Sequence, residues 1–227
     1  ASDELDRLPS RGGGPSYPVT LTIGEIRAAG GPAMRVPDLR RSADLKWLLA
    51  MNNRFPRLGS VEGWGVSFGR ELNATEVGPH VGAEGVRVIE GKHVGPFVVT
   101  AGSGRCIPRV TVARMIGLER IDHPRVAYRD VSGVGNRLTM IAAVIPAGTV
   151  TTHTLLCVRN RLDATRQFFL CALLNSYVIN AIVRLLMGGH VTTSLSESLP
   201  APVWRGDRTD RRIAGLARRL SVSGVGG

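Results

Sequence analysis

The chain has 227 residues, 43% of them apolar, and a formal net charge of +11. That length suits one large domain or a domain with an arm, and the apolar share excludes wholesale disorder. The positive balance points to a polyanionic partner or an acidic surface.

Residues 1–16 hold Gly12-Gly13-Gly14-Pro15 and little apolar surface, the pattern of a frayed arm. Tyr17 to Ile23 alternates as a short strand would, and Ser42 to Asn52 has an N-cap serine and a Leu45, Leu48, Leu49, Met51 stripe that predict a helix. From Val61 the texture changes to short strands and Gly/Pro turns. Strands are expected at Gly65 to Arg70, Gly85 to Gly91 and Val94 to Thr100, while Arg109 to Met115 is ambiguous. Val126 to Val131, Leu138 to Ile145 and Val150 to Arg159, rich in Val, Ile and Thr, are the firmest strands. Asp163 caps a helix expected to run unbroken from Ala164 to Met187, apolar on nearly every face and stopped by Gly188-Gly189. An extended return follows, then an amphipathic helix over Asp210 to Leu220 and a frayed tail from Ser221. The expected fold is α+β: mixed or antiparallel strands packed on a long central helix, with short flanking helices. The expected divisions are an arm and linker over 1–58, a recognition domain over 59–205 and a terminal helix and tail over 206–227.

Three cysteines, Cys106, Cys157 and Cys171, lie far apart and in odd number, which fits a reduced, cytoplasmic setting better than a disulfide framework. The five histidines are scattered, with no Cys-x-x-Cys or helical His pair to hold a metal. No apolar run approaches the roughly 20 residues that span a bilayer, and no signal-peptide pattern opens the chain. No Walker loop, Gly-x-Ser-x-Gly elbow or His-Glu-x-x-His occurs, and the glycine-rich stretches read as an arm and a hairpin turn. The chain alone reads as non-catalytic and without a cofactor of its own.

Binding chemistry remains. Only Lys46 and Lys92 are lysines among 29 basic residues. Arginine forks onto phosphates and guanine edges, although GC-rich coding gives the same ratio. Arg125, Arg129 and Arg137 gather around the two firmest strands, with Asn136, Thr139, Thr151, Thr152, His153 and Thr154 beside them. That mix suits duplex DNA: Arg for guanine or phosphate, Asn for adenine, Thr for phosphate or the thymine methyl. Arg129-Asp130 reads equally well as a structural pair that orients a loop, and the threonines are good strand composition in any case. Aromatics are only 5%, too few to serve as stacking platforms for single-stranded RNA.

The order of segments is more specific than any one of them. Met51 to Gly59, Trp64-Gly65-Val66, Arg70 to Glu76 and Val88-Ile89-Glu90-Gly91-Lys92-His93-Val94-Gly95-Pro96-Phe97 come first. Arg125 to Asp130, Asn136 to Pro146, Thr151 to Leu155, Leu173 to Ser176 and Ser198 to Pro202 follow. This series, over residues 48 to 220, resembles the TaqI-like specificity domain, the DNA-reading half of adenine-specific DNA methyltransferases and fused restriction-modification enzymes. It departs from that pattern at Val77, Pro79 and Val81, where aromatic residues are usual.

The resemblance implies an α+β target-recognition domain lying across double-stranded DNA from a methyltransferase catalytic domain, in cis or in trans, which would hold the S-adenosylmethionine. The adenine-binding Asn-Pro-Pro-Tyr motif of such a catalytic domain is absent from this sequence. The resemblance and the residue chemistry together nominate Lys92, His93, Arg125, Arg129, Asn136, Arg137, Thr139, Thr152, His153 and Thr154 as the DNA-facing set. The alternative is a protein-interaction or specificity subunit whose long apolar helix docks a separate methyltransferase subunit.

Overall fold

The computed structural model describes residues 19–100, 104–131 and 137–223. In chain order its elements are α1 (Ile23–Gly30), α2 (Ser42–Arg54), β1 (Phe68–Gly69), α3 (Ala74–Val77), β2 (Val86–Ile89) and β3 (Cys106–Ile107). Then come α4 (Arg109–Ile116), β4 (Arg125–Arg129), β5 (Ala142–Ile145), β6 (Thr149–Thr151) and β7 (Leu155–Val158). The helices α5 (Ala164–Leu174), α6 (Tyr177–Leu186), α7 (Thr193–Ser198) and α8 (Arg208–Ser223) close the order, and the fold is α+β.

The strands make two sheets. The larger has the order β1-β7-β4-β5 with every neighbour antiparallel. The smaller has the order β3-β2-β6, in which β2 runs antiparallel to β3 and parallel to β6. The period of two along β4 assigns its faces. Val126 and Tyr128 look one way, into a cluster with Leu156, Val158, Leu170, Leu174, Ile182 and Val183 of the strands and helices. Ala127 looks the other way, joining Ala143, Ile145, Cys157, Ile89 and Val94 between the two sheets. The central strands are therefore covered on both faces, which explains their near-continuous burial. A third cluster, with Val86, Val88, Ile107, Val112 and Val150, fills the far side of the small sheet beneath α4. Each such side chain contributes about 1.5–3 kcal/mol on burial. Leu45 and Leu48 of α2 and Leu58 belong to the same apolar cluster as Val126 and Tyr128, and α8 packs along α5, so segments on both sides of residues 58 and 206 share this scaffold.

Several elements differ from the sequence expectation. The helix expected from Ala164 to Met187 is two helices bent by 57°. The break is local chemistry. Ser176 caps α6 by accepting from Ile179 N, and the Asn175 amide turns back to donate to Cys171 O and Ala142 O. Among the described residues no single helix is long and apolar enough to cross a membrane. The bent pair passes that test only together, and its apolar side chains Phe169, Leu170, Leu174, Ile179 and Ile182 are core.

The expected strand Leu138 to Ile145 pairs only from Ala142, because side chains occupy the backbone before it. Asn180 Oδ1 accepts from both Thr139 N and Met140 N at 2.7 Å. Val150 to Arg159 splits into β6 and β7, which lie in different sheets, so Thr152 to Thr154 is the crossing between them. Val94 to Thr100 is a tight turn rather than a strand. Gly95 and Val98 exchange backbone bonds around Pro96 and Phe97, and Phe97 takes φ 68. Gly65 to Arg70 pairs only at Phe68–Gly69, and Gly91 leaves its strand for a 3₁₀ turn. Ile23 opens a helix rather than ending a strand, since Thr22 and Glu25 form a capping box. Tyr17 and Pro18 lie outside the described residues. Arg109 to Met115 is helical, and α8 extends to Ser223 into the expected tail.

Candidate nucleic-acid interface

Four segments meet at the C-terminal end of β4, held by backbone bonds. Asp130 N donates to Thr154 O at 3.1 Å, Thr152 N to Ile89 O at 3.3 Å, and Val191 N to Asp130 O at 3.0 Å. Gly91 N donates to Thr154 Oγ1 at 2.8 Å. The end of β4, the crossing Thr152 to Thr154, the 3₁₀ turn Gly91–His93 and the loop leading to Val191 thus form one rigid rim.

Six of the ten nominated residues lie on this rim: Lys92, His93, Arg129, Thr152, His153 and Thr154. Lys92 is exposed, with Nζ 3.0 Å from Glu90 Oε2 in an ion pair that lacks hydrogen-bond alignment. Arg105 Nη1 holds the other oxygen of Glu90 at 2.9 Å. Burial works against the Glu90 charge, but Lys92 and Arg105 outweigh it and keep the carboxyl below its usual range. His153 is exposed and Thr154 half-buried. His93 is buried and structural, its Nδ1 accepting from Glu90 N at 3.0 Å. Burial pushes its imidazole down and Lys92 adds to that, against an opposing pull from Glu90. Thr152 is buried as well.

Arg129 differs from its neighbours. It ends β4 half-buried, its Nε is buried without a hydrogen-bond partner, and no carboxylate pairs with it among the described residues. The adjacent Asp130 is taken: Arg70 Nη2 donates to its Oδ2 at 2.8 Å, and His190 Nδ1 stands 3.6 Å from its Oδ1. Burial lowers the Arg129 guanidinium from its ordinary value, though arginine keeps its charge throughout the working pH range. One buried nitrogen of this half-exposed guanidinium therefore has its hydrogen-bonding capacity unspent, a feature that costs stability in the free chain.

The rest of the nominated set is placed elsewhere. Arg137 is exposed, its guanidinium 5.6 Å from the Tyr177 ring centre. Asn136 lies outside the described residues. Thr139 is fully buried and accepts from Arg184 Nε at 2.9 Å, so it cannot reach a surface ligand.

Arg125 also departs from its expected role. It is 3% exposed and grips the Glu71 carboxylate with Nε and Nη2, while Nη2 also donates to Thr149 O at 2.9 Å. Glu71 accepts in turn from Thr151 N at 2.8 Å and Thr151 Oγ1 at 2.9 Å. The pair therefore stitches β4 of one sheet to β6 of the other. Burial pulls the Arg125 guanidinium down, but the Glu71 carboxylate more than offsets it and leaves the value raised.

Sequence reasoning missed Arg70, Glu71 and His190. The run Arg70-Glu71-Leu72 was legible as a segment, but its partners Asp130 and Arg125 are 60 and 54 residues away. Among the described residues no group of His, Cys, Asp or Glu is arranged to hold a metal ion.

No family model and no curated protein matches this sequence. Among solved structures, a chain from a type I R-M system, in a study of its complex assembly and conformational transition, is similar with a TM-score of 0.37 and 16% identity. The alignment covers 78% of this chain and 45% of that one, so this chain spans less than half the length of its structural neighbour. A likeness this loose identifies no family.

Proposed function

We propose that this chain is the DNA sequence-recognition domain of a site-specific adenine-N6 DNA methyltransferase of the restriction-modification or phage-defence kind. It binds double-stranded DNA, and another polypeptide region holds S-adenosylmethionine and transfers the methyl group. The carrying observation is Arg129: a half-buried arginine on a hydrogen-bonded strand end, its Nε buried and unbonded, with no acidic partner among the described residues, and on the same rim as exposed Lys92 and His153. A base edge or a phosphate supplies the acceptors that the described residues do not. The order of segments from Met51 to Pro202 and the net charge of +11 support the same reading.

In this reading the DNA-facing group is Lys92, Arg129, Arg137, His153 and Thr154. The buried His93 and Thr152 belong to the frame of the rim, while the buried Arg125 and Thr139 serve the core elsewhere. Selection from a random-sequence duplex library tests it. The wild-type chain enriches a defined motif, and Arg129→Met loses preference at one or two positions of that motif, since a bidentate contact is worth about 1–3 kcal/mol of discrimination. No enrichment by the wild type, or an unchanged motif in the variant, contradicts the assignment.

A second reading, an interaction module docking a separate subunit, is favoured by the outer side of α8, where Leu216, Leu220 and Val222 are exposed. A monomer at all concentrations in light scattering, alone and with a candidate methyltransferase subunit, counts against it.

A further inference from the structure

A cleft of about 780 Å³ opens beside the outer strand pair of the large sheet, walled by the ends of β1 and β7 on one side and by the end of α4 with the following 3₁₀ turn on the other. Six arginines and His123 line it, against two carboxylates, Glu71 and Glu119. One of those carboxylates is already used, because Glu71 is saturated by Arg125 and Thr151. Arg161 is held outside the balance by two bonds to Asp122, at 2.7 and 2.8 Å. Arg114, Arg120 and Arg159 have no carboxylate partner among the described residues.

The site is built rather than a loose run of surface charge. Arg159 is fixed by its backbone, with N donating to Ser67 O at 2.9 Å, and its guanidinium lies across Gly69. A Cβ at Gly69 would fall 2.1 Å from Arg159 Nε, so the glycine is what lets the guanidinium lie there. In the floor, Arg125 is 3% exposed and its Nη1 is buried with no hydrogen-bond partner. The cleft has no Phe, Tyr or Trp in its lining among the described residues, so it offers no face for stacking a base. Unpaired forked donors without a stacking platform match phosphate oxygens rather than a nucleobase. Arg70 lines the cleft and also binds Asp130 on the rim that carries Arg129, so the two features adjoin.

We infer that this arginine cleft seats backbone phosphates of a nucleic-acid strand whose bases are read at the neighbouring rim. The inference rests on the duplex-DNA reading and adds a separate anchoring site to it. Its contacts carry no sequence information; they fix register and supply affinity by counterion release.

The test uses the full chain and the double variant Arg114→Ala/Arg159→Ala, which alters two exposed residues. Affinity for a random-sequence duplex of about 20 base pairs is measured by fluorescence anisotropy from about 50 to 200 mM salt. The expected result is at least a tenfold weaker affinity at about 100 mM salt and a slope of log affinity on log salt shallower by about 2, with the wild-type motif kept in the selection experiment. A double variant with the wild-type slope overturns the cleft while leaving the rim reading intact. A wild-type chain that binds no duplex overturns both. A parallel arm adds inorganic tripolyphosphate. If it raises the melting temperature of the wild type but not of the variant while duplex binding of the two is equal, the cleft takes a free polyphosphate and the strand assignment is wrong.

Discussion

Replacing Glu71 by alanine removes the carboxylate through which Arg125 of β4 is tied to β6. Four donors converge on its carboxylate: Arg125 Nε, Arg125 Nη2, Thr151 N and Thr151 Oγ1. The Glu71 and Arg125 side chains are 6% and 3% exposed, so water cannot take over these bonds without opening the sheet interface. Breaking a buried pair by removing one partner costs about 3–5 kcal/mol, most of it from the charge left behind. For a chain of this size about 2–4 °C of melting temperature accompanies each kcal/mol, so Glu71→Ala is expected to melt about 6–20 °C below wild type. In urea the midpoint falls and the m-value holds, because the surface exposed on unfolding is unchanged. The double variant Glu71→Leu/Arg125→Met removes the stranded charge and recovers only part of the loss, because Thr151 N and Thr149 O lose their partners in the same interior. A Glu71→Ala loss below about 1 kcal/mol, the value of an exposed pair, would show that the Glu71–Arg125 contact is solvated and that the sheets are held by apolar packing alone.

Asn180→Leu is expected to cost about 2–5 kcal/mol by urea denaturation, since Thr139 N and Met140 N lose their shared acceptor inside the core; a neutral effect contradicts the account of why that segment is not a strand. His93 is buried with its imidazole pushed down, so the unfolded chain takes up the proton first, and the stability this gives is present above the ordinary imidazole range and lost as pH falls. His93→Asn keeps an acceptor for Glu90 N without that titration, so its melting temperature should fall less than wild type between about pH 7 and pH 5; parallel curves refute this. Burial pushes Cys157 and Cys171 up to about 12, while Cys106 is half-exposed, so a bulky thiol reagent should label one cysteine in the native chain and none after Cys106→Ser.

The backbone plan was readable where local rules decide it. The period of two in Val126 to Tyr128 places β4, and Asp163 caps α5 as its type and position imply. Errors arose where a distant group overrides the local pattern. The apolar run after Ala164 reads as one helix, yet Asn175 spends its amide on Ala142 of β5, and the capping Ser176 restarts the chain in a new direction. Leu138 to Ile141 has strand composition, but Asn180 occupies the backbone donors that a neighbouring strand would need. Of the candidate site, Gly91–His93 and Thr152 to Thr154 were legible only as separate segments, and the bond from Gly91 N to Thr154 Oγ1 is what joins them. The burial of Arg125 was not legible, because nothing near it in sequence announces Glu71. The cleft arginines come from several separate stretches, and only the packing of α4 beside the large sheet brings them together.

The most direct measurement is equilibrium binding of the wild-type chain and Arg129→Met to duplex DNA over a salt series. The account predicts measurable wild-type affinity at about 50 mM salt that falls steeply by 200 mM, weaker binding by the variant, and no preference for single strands. Absence of duplex binding at about 50 mM salt, or an affinity indifferent to salt and to Arg129, contradicts it.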